Sequence, residues 1–142
     1  MKIILQLFLF LIIAPAAKSQ QKNNSSLKYD AVISFNSICC GTPSADFLRI
    51  FCKEFSKKNK VDLQIWQLGG CGREGEFKIL VSLIKLKPAK KVKFERLLQK
   101  NISLQNSKNK SDKPSSGNIN LNLAPEEKNF SNCSEKLTEW KY

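Results

Sequence analysis

The sequence contains no histidine. This absence excludes triads with an imidazole base, histidine acid-base catalysis and histidine metal ligands. Long apolar runs are also scarce. The most apolar stretch covers residues 3–13 and is shorter than the about 20 residues that a membrane-spanning helix needs.

A short apolar run behind a positively charged start, followed by small residues, is the pattern of a secretory signal. Ala17 and Ser19 fit the positions three and one before a cleavage site, and no cysteine nearby could accept a lipid. We therefore predict a signal peptide over residues 1–19 and a flexible leader over residues 20–28. The expected location is periplasmic or secreted, with no transmembrane helix in the mature chain.

The formal net charge is +12, and loss of the predicted signal lowers it to +10 because two lysines leave with it. Between Lys85 and Lys113 ten lysines or arginines face only two acidic residues. On an exported protein such a surface favours an acidic protein, a glycan or an anionic lipid surface, and it disfavours nucleic acid. The candidate anion-binding residues are Lys90, Lys91 and Lys93. The alternative is a solvated lysine-rich face that keeps the protein soluble.

Hydrophobic periodicity predicts five elements in the first hundred residues. They are a strand over 29–38, a helix over 44–58, a strand over 61–68, a strand over 77–86 and a helix that begins at Pro88. This order of strand, helix, strand, strand and helix predicts an α+β domain over residues 29–104. We expect a ferredoxin-like fold or a truncated split β-α-β arrangement, with the first two strands parallel and the third between them.

The remaining chain is more polar. Residues 105–117 are rich in Ser, Asn and Lys and predict a mobile linker. Residues 118–123 alternate as a candidate fourth strand at the sheet edge, although an unattached tail remains the alternative. A helical stripe then predicts a short amphipathic C-terminal helix. Its members are Phe130, Cys133, Leu137 and Trp140.

Parallel strands end at the same edge of a sheet, so the topology brings two distant segments to one rim. Cys39 and Cys40 follow the first strand, and Cys71 follows the second. The candidate binding residues at this rim are Cys40, Gly41, Thr42, Arg73, Glu74 and Glu76. Glu74 and Glu76 could serve acid-base chemistry, but the simpler interpretation is a solvated hairpin with Arg73 paired to one of them.

The cysteines admit three interpretations. In the structural one, which we favour, Cys39 or Cys40 is bridged to Cys71, because small exported domains commonly use disulfides. In the redox one, Cys40 lies at a helix N-terminus near Arg73, which would lower its pKa. In the metal one, the cysteines hold zinc, but their spacing lacks the usual pairs. Cys52 lies on an apolar helix face and is expected either to form a second disulfide or to be a buried thiol.

The favoured function is therefore that of a non-catalytic exported protein with a binding or envelope-associated role. The alternative is a thiol-disulfide redox protein that uses Cys40 with Cys39 or Cys71. We predict no metal and no other cofactor.

Overall fold

The computed structural model describes residues 29–112 and 117–142, so the predicted signal peptide and leader over residues 1–28 lie outside the described residues. The described chain is an α+β structure with a five-stranded antiparallel sheet and two α-helices. Its elements are β1 (Ala31–Asn36), α1 (Asp46–Asn59), β2 (Gln64–Leu68), β3 (Phe77–Ser82), α2 (Pro88–Asp112), β4 (Asn118–Asn122), a 3-10 turn (Glu127–Asn129) and β5 (Thr138–Glu139). None of the helices in these two ranges combines the length and apolarity needed to cross a bilayer.

The strand order across the sheet is β4-β1-β3-β2-β5. Because β3 is antiparallel to both of its neighbours, β1 and β2 run in the same direction with β3 between them. This central strand is buried on both faces, with Ile79 and Val81 towards the helices and Leu80 on the opposite face. Its double-sided apolar pattern in the sequence reflects this central position.

Both helices pack on one face of the sheet. The α1 side chains Phe51 and Phe55 and the α2 side chain Phe94 meet there, with the Phe94 ring centroid 5.2 Å and 5.0 Å from those of Phe51 and Phe55. From the sheet, β1 contributes Ile33 and Phe35 to the same core. The main core therefore lies between the helix layer and one sheet face.

A buried carboxylate fixes the start of α2. Asp30 precedes β1, accepts a hydrogen bond from the backbone N–H of Leu83 and forms an ion pair with Lys91. Asp30 is buried, and a buried carboxylate is costly unless it is paired. The Leu83 N–H and the Lys91 ammonium group provide that pairing. This contact ties the beginning of β1 to the first turn of α2.

The expected linker over residues 105–117 is largely helical. The helix α2 continues to Asp112, and residues 113–116 lie outside the described residues. The helix is extended by a specific side-chain contact, which the polar composition of the segment does not indicate. The side-chain amide of Asn106 accepts from the backbone N–H of Ile119 and donates to its carbonyl, so α2 holds the outer edge of β4.

The candidate fourth strand forms β4, which pairs antiparallel with β1 and places Ile119 opposite Phe35. Gly117, with φ of +94°, allows the approach, because a Cβ there would lie 1.8 Å from the carbonyl oxygen of Asn36. Only glycine fits at such a position.

The expected C-terminal helix is absent from the described residues, which form the 3-10 turn, an irregular segment and β5 instead. Its supposed apolar stripe divides between two surfaces. Phe130 and Cys133 pack on the sheet face away from the helices, against Val32 and Leu80, whereas Trp140 is buried in the main core. We call residues 124–142 the C-terminal strap.

A disulfide joins Cys71 to Cys133 and holds the strap to the turn after β2. The expected bridge from Cys39 or Cys40 to Cys71 is therefore wrong. The sequence placed Cys133 on a helix, and only the observed path of the strap brings it to Cys71. Backbone bonds support the bridge, since Ser134 and Glu135 donate to the carbonyls of the glycine pair before Cys71.

Two further contacts hold the strap. The Lys78 ammonium group, which β3 directs to the face away from the helices, donates to the Asn129 carbonyl and to the Asn132 side chain. Burial lowers the pKa of Lys78. At the chain end, the Tyr142 hydroxyl accepts from the Leu63 backbone N–H at 2.9 Å.

Removing the bridge by the double substitution Cys71→Ser and Cys133→Ser is expected to lower the free energy of unfolding by about 4 kcal/mol, because the two cysteines are 62 positions apart. Urea unfolding measures the difference, and Cys40→Ser, at an exposed site outside this bridge, is the control. Equal stability of the double variant and the control would show that the strap docks without the disulfide.

Gly70→Ala and Gly75→Ala form a matched pair. Both positions have positive φ, 62° and 83°, so both alanines lose about 1 to 2 kcal/mol to backbone strain. Only at Gly70 would the Cβ meet the strap, 2.3 Å from the Ser134 hydroxyl and 3.2 Å from the Glu135 nitrogen. We expect Gly70→Ala to be less stable than Gly75→Ala by about a further 1 kcal/mol in urea unfolding. Equal losses would contradict close packing of the strap here.

Candidate functional site

The structure brings together the two loops of the predicted rim. Cys40 lies in the loop between β1 and α1, and Glu74 lies in the connection between β2 and β3. Cys39 is the main cause of a raised pKa of Cys40, and the Glu74 carboxylate makes the smallest contribution to it. The pairing of Phe35 at the end of β1 with Phe77 at the start of β3 places the two loops at the same edge of the sheet.

A polar cleft of about 530 Å³ opens between the β1–α1 loop and α2, which supplies half of its lining residues, and none of Arg73, Glu74 and Glu76 lines it. Cys40, Thr42 and Ser44 line one side, and Lys108 and Asp112 line the other. Sequence reasoning missed the second side because it placed residues 105–117 in a linker. The sequence contained only a weak signal that α2 extends this far. The helical spacing that includes Phe94 continues into this segment, but the residues there are polar.

The thiol chemistry expected of Cys40 lacks its physical basis. The helix α1 begins only at Asp46, so Cys40 does not lie at a helix N-terminus. The hydrogen bond that the Cys40 thiol donates to the neighbouring Cys39, together with the negative charge of the Cys39 thiolate, raises the pKa of Cys40. The third redox candidate, Cys71, is committed to the disulfide with Cys133. Cys52 is buried, and burial raises its pKa to about 12.

The acidic pair in the hairpin has a local structural role. A Glu76 carboxylate oxygen accepts a hydrogen bond from the Glu74 backbone N–H at 2.8 Å. A Cβ at Gly72 would lie 2.4 Å from the same carboxylate, so glycine leaves space for it. Arg73 is exposed and makes no ion pair within the described part of the chain, contrary to the expected pairing. Gly41, with φ of +96°, adjoins open space.

The three candidate lysines differ in availability. Lys91 is paired with Asp30, and Lys90 donates to the carbonyl of Asn59 at 2.7 Å. Lys93 alone is exposed at the surface, where it lines a groove between the two helices. Two of the three predicted anion-binding residues therefore have internal contacts.

Other cations on and before α2 remain available. Lys87, Arg96 and Lys100 are exposed, and none forms an ion pair with another described residue. The same stretch of chain carries two exposed apolar side chains, Ile84 in the turn before α2 and Val92, which the spacing of four places on one face of α2 with Arg96 and Lys100. The positive charge of this region could be predicted from the sequence, whereas the exposure of apolar side chains in the same region could not.

A further cleft of about 600 Å³ lies at the β2 edge and was not anticipated. Trp66 lines it together with the strap residues Trp140 and Tyr142. The Arg49 guanidinium lies 4.7 Å from the Trp140 ring centroid, a cation–π distance. Among residues 29–112 and 117–142, no three His, Cys, Asp or Glu side chains form a group able to hold a metal ion.

The raised pKa of Cys40 makes a directional prediction. The midpoint of its alkylation pH profile is expected above the ordinary value of 9.0, because loss of the proton is opposed by Cys39. Cys39→Ala should shift that midpoint down towards the ordinary value. Mass spectrometry of iodoacetamide adducts locates the modification, and Cys52 should stay unmodified until unfolding. A Cys40 midpoint below neutral pH would restore the redox interpretation.

Comparison of the chain with protein-family models, with curated proteins and with solved structures finds no significant match.

Proposed function

We propose that the protein is an exported, non-catalytic, envelope-associated protein that lies with the outer surface of α2 against an anionic lipid surface. The observation that carries the proposal is the mixture on this surface of cations without ion pairs among the described residues and exposed large apolar side chains. Anionic head groups attract the cations, and apolar side chains enter the interface between head groups and acyl chains.

Export is supported by the N-terminal sequence pattern and by the Cys71–Cys133 disulfide, since such bridges persist in oxidising compartments. A binding role without catalysis is supported by the rim. Its thiols lack the environment of a reactive thiolate, and its Glu76 carboxylate is occupied by a backbone N–H.

The proposed fold is a ferredoxin-like split β-α-β arrangement with an added edge strand. The order β4-β1-β3-β2 and the antiparallel pairing support this assignment, as does the order of helices between the strands. In this arrangement the helices pack with their inner sides on one face of the sheet, so the outer side of α2 faces solvent.

An anionic lipid surface is favoured over an acidic glycan or protein by the apolar component. Ile84 and Val92 are 71% and 64% exposed, and neither would gain from contact with a sulfated glycan. Each cation near an anionic bilayer contributes about 1 kcal/mol, and each buried methylene adds about 0.8 kcal/mol. Salt screens the electrostatic contribution but not the hydrophobic one, so we expect salt to weaken the binding to the bilayer without abolishing it.

The test is sedimentation with vesicles of phosphatidylcholine, with and without phosphatidylglycerol. The unsubstituted protein should bind only the anionic vesicles. The triple variant Lys87→Gln, Arg96→Gln and Lys100→Gln should lose about 3 kcal/mol, or roughly a hundredfold in partition coefficient. A matched triple variant, Lys128→Gln, Lys136→Gln and Lys141→Gln, removes the same charge from the strap and should bind almost as well as the unsubstituted protein.

Val92→Gln separates lipid from glycan. It should weaken vesicle binding severalfold and leave retention on heparin unchanged, because only the bilayer offers an apolar interior. Retention on heparin without vesicle binding, or equal losses in the two triple variants, would contradict the proposal.

A further inference from the structure

A groove of about 410 Å³ runs between α1 and α2 on the outer side of the helix layer. Its volume lies within the usual range of small-molecule sites. Five of its ten lining residues are apolar, and these are Phe47, Ile50, Phe51, Phe55 and Leu97. Most sites for apolar ligands share this arrangement of an apolar wall with a few polar groups.

The groove differs in character along its length. Lys90 at the start of α2 donates to the carbonyl of Asn59 at the end of α1, so the two helices run antiparallel. Lys58 and Lys93 consequently line the same end of the groove. Phe47 belongs to the first turn of α1 and lines the opposite end. One end is therefore cationic and the other apolar.

The groove wall includes an isoleucine that water reaches. Ile50 is 59% exposed, although its neighbours Phe51 and Phe55 are buried in the core. Covering this side chain with an apolar ligand would remove that area from water. Two ammonium groups and one carboxylate, that of Glu54, line the groove, so the net charge of the lining favours an anion.

We propose that this groove binds a single-chain anionic amphiphile of the fatty-acid class. The acyl chain lies along Ile50 and Leu97, and the carboxylate lies at the end with Lys58 and Lys93. The site is separate from the α2 surface proposed to meet a bilayer, because Lys87, Arg96 and Lys100 do not line it. The two proposals can therefore fail independently.

The experiment is displacement of a fluorescent dansyl-undecanoate probe from the purified full chain by dodecanoate below its micelle concentration. Acetate, which has the charge without the chain, should not displace the probe. Dodecanol, which has the chain without the charge, should bind about fivefold or more weakly than dodecanoate. Displacement by dodecanol as strong as that by dodecanoate would overturn the assignment of the carboxylate.

Substitutions at exposed positions test the site without disturbing the core. Ile50→Gln should weaken dodecanoate binding about tenfold, whereas Val92→Gln, at a comparably exposed apolar residue outside the groove, should leave it unchanged. Equal effects of the two variants would overturn the proposal.

The charges give an independent test. Lys58→Gln with Lys93→Gln should weaken dodecanoate binding about fivefold or more, and Lys53→Gln with Lys57→Gln, on α1 outside the groove lining, should have little effect. Removing the single acidic side chain by Glu54→Gln should strengthen binding.

Absence of dodecanoate binding would overturn the proposal outright. If sedimentation then showed a dimer that Ile50→Gln dissociates, the groove would belong to a second copy of the chain. Vesicle binding measured on the same variants shows whether the α2 surface fails or survives separately, since Ile50→Gln leaves all of its cations in place.

Discussion

The structure depends on how the second face of the sheet is covered. Two helices cover one face, and an uncovered second face would leave Val32, Leu68 and Leu80 in water. The C-terminal strap covers them with Phe130 and the Cys71–Cys133 bridge, in a stretch between the 3-10 turn and β5 that forms no regular element. A segment this irregular cannot hold its place by backbone pairing alone, so the disulfide and the close approach at the glycine turn determine its position.

The strap also joins the two faces. After crossing the outer face it pairs with β2 through β5, and Trp140 then enters the helix-side core beneath Arg49. The strap shortens one edge of the sheet, because the strand outside β2 is the two-residue β5, and at the other edge Asn106 of α2 occupies the outward backbone groups of Ile119 on β4. Covered edges limit pairing with other chains, which matters in a protein whose sheet is built entirely from antiparallel strands.

Much of this fold could be predicted from the sequence, and the failures have a common physical cause. Apolar residues at the spacing of a strand identified β1 and β3, and apolar residues at the spacing of a helix identified α1 and the first half of α2. These elements bury a face whose residues repeat at a regular interval, so the burial is visible in the sequence. The later segments are held by specific polar contacts. Asn106 extends α2 against β4, and Cys133 pairs with Cys71, yet neither contact leaves a periodic pattern. Of the residues predicted at the rim, Cys40 and Thr42 line the polar cleft, whereas the α2 side of that cleft and the true disulfide partner were missed.

The same distinction applies to charge. A run of lysines in a sequence counts cations without showing which of them the fold already uses. Lys91 neutralises Asp30 and Lys90 joins α2 to α1, so both are part of the packing of the helix layer. Lys87, Arg96 and Lys100, by contrast, form no ion pair with another residue of the described ranges. Their position beside exposed apolar groups, rather than their number, is what favours a lipid partner, because charge alone would serve solubility equally well.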